Sequence, residues 1–132
     1  MNHVHESQLA LEKAADSLSD ADFNLADGRV TAAVNRAYYG MYYCLCALFF
    51  SENTYTKTHK GAQQRFYDLF IRTERFPVVA AKWISDAYNL RQLGDYDFES
   101  TISDDIALQL LQHAHQFYEL TEQYLTNHGG QV

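Results

Sequence analysis

Apolar residues return at three- and four-residue steps through five successive segments of this 132-residue chain, the spacing that gathers side chains onto one side of an α-helix. Over 6–26 the step is kept by Leu11, Ala14, Ala15, Leu18, Ala21 and Leu25, and Asp27-Gly28 is a breaker pair suited to a C-terminal cap. Over 30–50 it is kept by Val30, Ala33, Val34, Ala37, Met41, Leu45 and Leu48, with apolar residues spilling onto the other faces, so this helix is predicted to be the most buried. A polar, Thr-rich stretch over 51–57 reads as a loop. A third helix is predicted over 58–73, with Ala62, Phe66, Leu69 and Phe70 on one stripe. Pro77, the single proline, suits the first turn of a fourth helix over 77–93, where its missing N–H costs nothing. Val79, Trp83, Ala87 and Leu90 would be its buried face.

Gly94 and the acids up to Ile102 read as a break, and Ser103 before Asp104 and Asp105 makes a good helix start. The fifth helix, predicted over 103–127, carries Ile106, Leu110, Leu111, Ala114, Phe117, Thr121 and Tyr124 and is closed by Gly129-Gly130. No stretch alternates long enough to make a strand. The prediction is an all-α, up-and-down antiparallel bundle of about five helices around a four-helix core, one domain spanning 1–132.

Charge narrows the function classes. A net charge of −7 argues against a protein that coats nucleic acid by bulk electrostatics. Yet Lys57, Lys60, Arg65, Arg72, Arg75, Lys82 and Arg91 lie together in sequence against only Asp68, Glu74 and Asp86, which allows one basic face on an acidic body. No apolar run reaches the roughly 18 residues that span a bilayer, and Met-Asn-His-Val-His-Glu has neither the basic nor the apolar stretch of a signal peptide, so a cytoplasmic protein without membrane contact is expected. Cys44 and Cys46, two apart on a helix, diverge and cannot pair, and are expected as core fillers.

Helical bundles often hold metals through a Glu three residues before a His. The residues three before His5, His59, His113, His115 and His128 are Asn2, Thr56, Leu110, Gln112 and Leu125, so no metal is predicted, and no cofactor motif is present. The unusual segment is Asn35-Arg36-Ala37-Tyr38-Tyr39-Gly40-Met41-Tyr42-Tyr43. Arg36, Tyr39 and Tyr43 share one helix face inside an otherwise apolar helix. A guanidinium there must find a carboxylate, a partner chain or a phosphate, because an isolated buried charge is very costly. An ion pair with a residue such as Asp95 would give it a purely structural role.

That segment, with Ala47-Leu48-Phe49, Lys57-Thr58-His59-Lys60-Gly61, Phe66, Phe70-Ile71-Arg72-Thr73, Leu90-Arg91 and Asp95-Tyr96 in order behind it, resembles the successive landmarks of a bacterial and archaeal group of HEPN domains. The resemblance spans roughly 8–125. It implies a helical bundle that forms a homodimer, is often paired with a minimal nucleotidyltransferase partner, and acts in toxin–antitoxin or defence systems. In active members an arginine and a histidine cut RNA without metal, the one stabilising charge on the phosphate and the other taking the 2′-OH proton. Arg36 matches the arginine, but the histidine position falls on Tyr43, whose reference pKa near 10 keeps it from serving as a base at neutral pH.

Three functions follow as expectations. The first is a HEPN module that dimerises and binds RNA, a nucleotide or the nucleotidyltransferase partner, with Asn35, Tyr39, Lys57 and Lys60 as binding residues. The second is a metal-independent endoribonuclease in which His59, in the loop after the Arg36 helix, replaces the missing base. The third is a helical interaction protein with no nucleic-acid role. The Lys57-to-Lys60 stretch has its own two interpretations, a phosphate grip or a solvated loop with a helix N-cap at Thr58. Arg91 with Asp95 and Tyr96 is expected to lock the turn before the last helix.

Overall fold

Gly28, at φ +77°, lets the chain reverse from a first helix into a second with almost no linker. The computed structural model describes residues 3–99 and 101–129, and the Gly130 half of the predicted closing pair lies outside them. Helix α1 (Val4–Ala26) runs antiparallel to α2 (Val30–Ser51), with the buried Ser7 hydroxyl donating to the Ala47 carbonyl at 2.6 Å. Gly40 permits their closest approach: a Cβ there would stand 2.6 Å from Leu18 Cδ2. Helix α2 is buried from Ala33 to Phe49 on successive faces because it packs against α1, α4 (Val78–Tyr96) and α5 (Asp104–Tyr124) at once. Around it the four long helices run up, down, up and down, the predicted all-α bundle. Among the described residues none forms a strand, and no helix is long and apolar enough to cross a membrane.

The predicted third helix is divided. Thr58 caps α3 (His59–Phe66) by accepting from the Gly61 N–H at 2.9 Å, and the chain then widens into a π-turn over Tyr67–Ile71. The wider turn sets Ile71 inward five residues after Phe66, beside Phe70, which a regular helical repeat would not do. Phe66 and Phe70 then meet Phe76 and Phe117 at ring centroid distances of 5.3–5.7 Å. A second π-turn, Leu125–Gly129, finishes the described chain after α5.

Two faces differ from expectation. In α4 the buried residues are Ala80, Ile84 and Ala87, whereas Val79 is exposed and Trp83 stacks its ring on His113 at the rim with α5. In α5 it is Ala107, not Ile106, that turns inward. Nor does Gly94 break α4, which continues to Tyr96: a Cβ at Gly94 would stand 3.1 Å from the Thr31 methyl, so the missing side chain serves close packing on α2. Cys44 is buried toward Thr121 of α5 and Cys46 half-buried on the α1 side of α2, both as free thiols.

Candidate functional site

The tyrosine-rich face of α2 is covered by the N-terminal turn of α3 on one side and by α4 on the other. His59 opens α3, and its Nδ1 lies 2.6 Å from the hydroxyl of Tyr38, whose side chain is only 1% exposed. The imidazole packs on Tyr42, Tyr38, Tyr39 and Tyr88 at centroid distances of 4.6, 5.5, 5.9 and 6.2 Å. From the α4 side Arg91 reaches into the same group, with its guanidinium carbon 5.2 Å from the Tyr38 ring centre and 5.6 Å from those of Tyr39 and Tyr88. An aromatic cage of this kind stabilises a cation through the ring quadrupoles and shuts out water.

Arg91 is nine-tenths buried, and its Nη1 pairs with Asp95 at 3.6 Å and reaches the Tyr39 hydroxyl at 3.4 Å. Its buried Nε has no acceptor among the described residues. The carboxylate that the sequence offered to Arg36 is therefore taken by Arg91, and Arg36 forms no ion pair among the described residues. Instead Arg36 Nε and Nη2 both donate to the side-chain oxygen of Asn35, at 3.1 and 2.9 Å. Asn35 is fixed in turn by donating its amide to Asp95 at 3.4 Å. The guanidinium sits over the Tyr39 ring at 5.1 Å, and Tyr39 touches Tyr43 at 6.1 Å, so the predicted row Arg36, Tyr39, Tyr43 is real.

The electrostatics follow from this burial. Desolvation, aided by the Arg91 charge, holds His59 below its ordinary range, so the ring is neutral at pH 7. Burial pushes the Tyr38 phenol well above its usual value, against the opposing pull of Arg91, and raises Tyr42 as well. The site thus holds two cations, one neutral imidazole and, at Tyr38 and Tyr42, phenols that burial keeps un-ionised, and among the described residues the cation without a carboxylate is Arg36.

Of the residues singled out from sequence, Asn35, Arg36, Tyr39 and His59 come together, with Tyr39 as the ring that both Arg36 and His59 touch. Tyr43 stands at the far end of the row and turns toward α1, where Lys13 Nζ lies 5.1 Å from its ring centre. Lys57 and Lys60 are exposed at the entrance to α3 and are not part of the cage. Arg91 and Asp95 tie α4 to α2 rather than the following turn, and Tyr96 is 70% exposed and outside the arrangement. Tyr88 had gone unnoticed, although Tyr88, Arg91 and Asp95 repeat on α4 the three- and four-residue steps of Arg36, Tyr39 and Tyr43.

Among known proteins, the model of the HEPN domain matches residues 7–124 of this chain. The chain belongs to the HEPN family. It is 36% identical over 126 residues to the protein named "Putative toxin MJ0142" of Methanocaldococcus jannaschii, covering 95% of this chain and 85% of that one. It is 29% identical over 121 residues to "UPF0332 protein glr0978" of Gloeobacter violaceus, covering 91% and 96%. A second M. jannaschii protein, "Putative toxin MJ0605", is 28% identical over 100 residues, covering 76% and 75%. The stretch shared with the HEPN model holds every residue of the cage, so the cage is built on HEPN helices and not on an appended segment.

Proposed function

We propose that this HEPN protein is the toxin-like component of a toxin–antitoxin or defence pair, that it forms a homodimer, and that it binds RNA or a nucleotide by its phosphate at Arg36. The observation that carries this is the Arg36 guanidinium itself: half-buried, clamped by the Asn35 amide, laid on an aromatic ring, and without a carboxylate among the described residues. Such a group matches a phosphate in geometry and is already oriented for it. Tyrosine rings beside it suit stacked bases, and the exposed Lys57 and Lys60 extend the positive rim. The relatives named as toxins and the family match support the wider role, and a minimal nucleotidyltransferase is the partner proposed for it.

One observation favours a second proposal, that the protein cuts RNA. His59 is held neutral and lies on the same Tyr39 ring as Arg36, which supplies a base where Tyr43 cannot. The two are separated by one experiment. A labelled single-stranded RNA is titrated in EDTA with the wild-type protein and with Arg36→Ala, and the mixtures are run on a denaturing gel. Binding weakened about ten-fold by Arg36→Ala, with a shallower salt dependence and intact RNA, is the expected result. Cleavage abolished by His59→Gln would establish the nuclease instead, and equal binding by the Arg36→Ala variant would remove the phosphate role.

A further inference from the structure

Beyond the Tyr88 ring, on the side away from the cage, α3 and α4 diverge to leave a cleft of about 530 Å³. We infer that this cleft is a nucleobase subsite. Its floor is apolar, formed by the buried side chains of Phe66 and Ile84, and Tyr67 and Tyr88 stand at its sides. Gln63, Ser85 and Asn89 also line it, and their side chains make no hydrogen bond among the described residues, whereas the neighbouring Gln64 is engaged by Asp68 at 3.1 Å. Among the described residues no carboxylate lines the cleft, and Lys60 is one of its lining residues.

Those features select one ligand class. A flat, partly apolar heterocycle can lay its face on the floor and against a phenol while its edge meets side-chain amides, each of which offers a donor and an acceptor side by side. A simple anion would need more than one ammonium, and an acyl chain would leave the free amides unpaired in an apolar contact. Volume and lining fit the usual shape of a small-ligand site, apolar walls with a few convergent polar groups.

Position ties the cleft to the cage. Tyr88 is a wall of both, lying 6.2 Å from the His59 ring and 5.6 Å from the Arg91 guanidinium, and Lys60 follows His59 in sequence. A base seated here sends its sugar and phosphate past Lys60 toward His59 and Arg36. Only that direction rests on the phosphate role proposed above; the base-binding claim rests on the lining of the cleft.

The test follows backbone and side-chain amide signals of the ¹⁵N-labelled full chain while three probes are added separately: the four ribonucleosides, ribose 5-phosphate, and the four nucleoside 5′-monophosphates. At least one nucleoside is expected to shift Gln63, Tyr67, Ser85 and Asn89, ribose 5-phosphate to shift Asn35, Arg36 and Tyr39, and the matching nucleotide to shift both groups. Asn89→Ala, a change at an exposed position, should weaken the nucleotide roughly ten-fold and leave ribose 5-phosphate unchanged. If neither nucleosides nor nucleotides move the cleft signals, or if Asn89→Ala binds the nucleotide as the wild type does, the subsite is overturned whatever ribose 5-phosphate does. Should the nucleosides act at the cleft while ribose 5-phosphate moves nothing near Arg36, the phosphate role fails and the subsite stands.

Discussion

A neutral imidazole pressed between a buried cation and four phenols is an unfavourable place for a proton, and His59 is such a residue. Protonation would add a second charge near Arg91 in a site short of water, so the folded protein binds that proton less readily than the unfolded chain, whose ordinary value is 6.5. The sign of the linkage is then fixed. The neutral ring contributes its full stability above 6.5, and that contribution is lost as pH falls from 6.5 toward the lower folded value, because the unfolded state takes up the proton first. A ring-proton NMR titration is expected to place the His59 midpoint below 6.5, and Arg91→Gln to move it upward. A midpoint at or above 6.5 in the wild-type protein would show that the cage does not exclude the charge. Little of this was legible from sequence. Arg36, Tyr39 and Tyr43 could be placed on one face by counting residues, but the Tyr38–His59 hydrogen bond joins positions 21 apart across an irregular loop, and no periodicity fixes such a distance. Arg91 and Asp95 could be grouped from sequence as a lock on the turn before the last helix, and Asp95 offered as one carboxylate for Arg36; that the pair instead ties α4 to α2 depends on α4 remaining helical past Gly94, with the two four residues apart on one face.

Among the helices, glycine has opposite consequences at two positions that look alike in sequence. At Gly40 an added methyl meets Leu18 at 2.6 and 2.8 Å, and Leu18 is only 2% exposed, so the neighbour has nowhere to go. The gain in helix propensity, about 1 kcal/mol, is set against an overpacking cost of about 1–3 kcal/mol, and overpacking wins. At Gly94 the nearest atom is the methyl of Thr31 at 3.1 Å, on an exposed side chain that can rotate away. Gly40→Ala is therefore expected to lower stability by about 1 kcal/mol and Gly94→Ala to leave it equal or higher, as read from urea unfolding midpoints at constant slope. Equal losses at both would mean that α1 and α2 approach no more tightly than α2 and α4. The same contrast explains which elements could be read in advance. Long periodic stripes gave α1, α2 and α5 nearly to their ends, whereas in α4 two adjacent four-residue stripes, Val79 with Trp83 and Ala80 with Ile84, are equally apolar. Packing against α2 favours the smaller alanine, a choice made by the neighbour and not by the repeat. The π-turn after Phe66 escaped because it inserts a residue where the hydrophobic count already looked regular.

For the whole molecule, charge and apolar surface make opposite demands on the two associations proposed. An apolar groove of about 550 Å³ runs between α1 and α2 next to the Arg36 row, lined by Leu9, Tyr43, Cys46 and Phe50, with Leu9 49% exposed. A second copy docked here about a two-fold axis would bury both grooves and bring the two Arg36 rows close together. Each chain carries a net charge of −7, and Glu6, Glu12 and Asp16 border the groove, so two copies repel as they approach. Salt screens that repulsion over a Debye length of about 10 Å at 0.1 M and strengthens apolar docking by default, while the same salt weakens phosphate binding by competing for the cations. Light scattering is therefore expected to give twice the 15.2 kDa chain mass, with the dimer favoured at about 500 mM over about 50 mM salt, opposite to the trend for RNA. Leu9→Glu, at an exposed position where the cost to folding is small, should give the single-chain mass at both. A wild-type protein with the single-chain mass throughout would leave each Arg36 row facing solvent alone, and any phosphate it held would be bound by one chain.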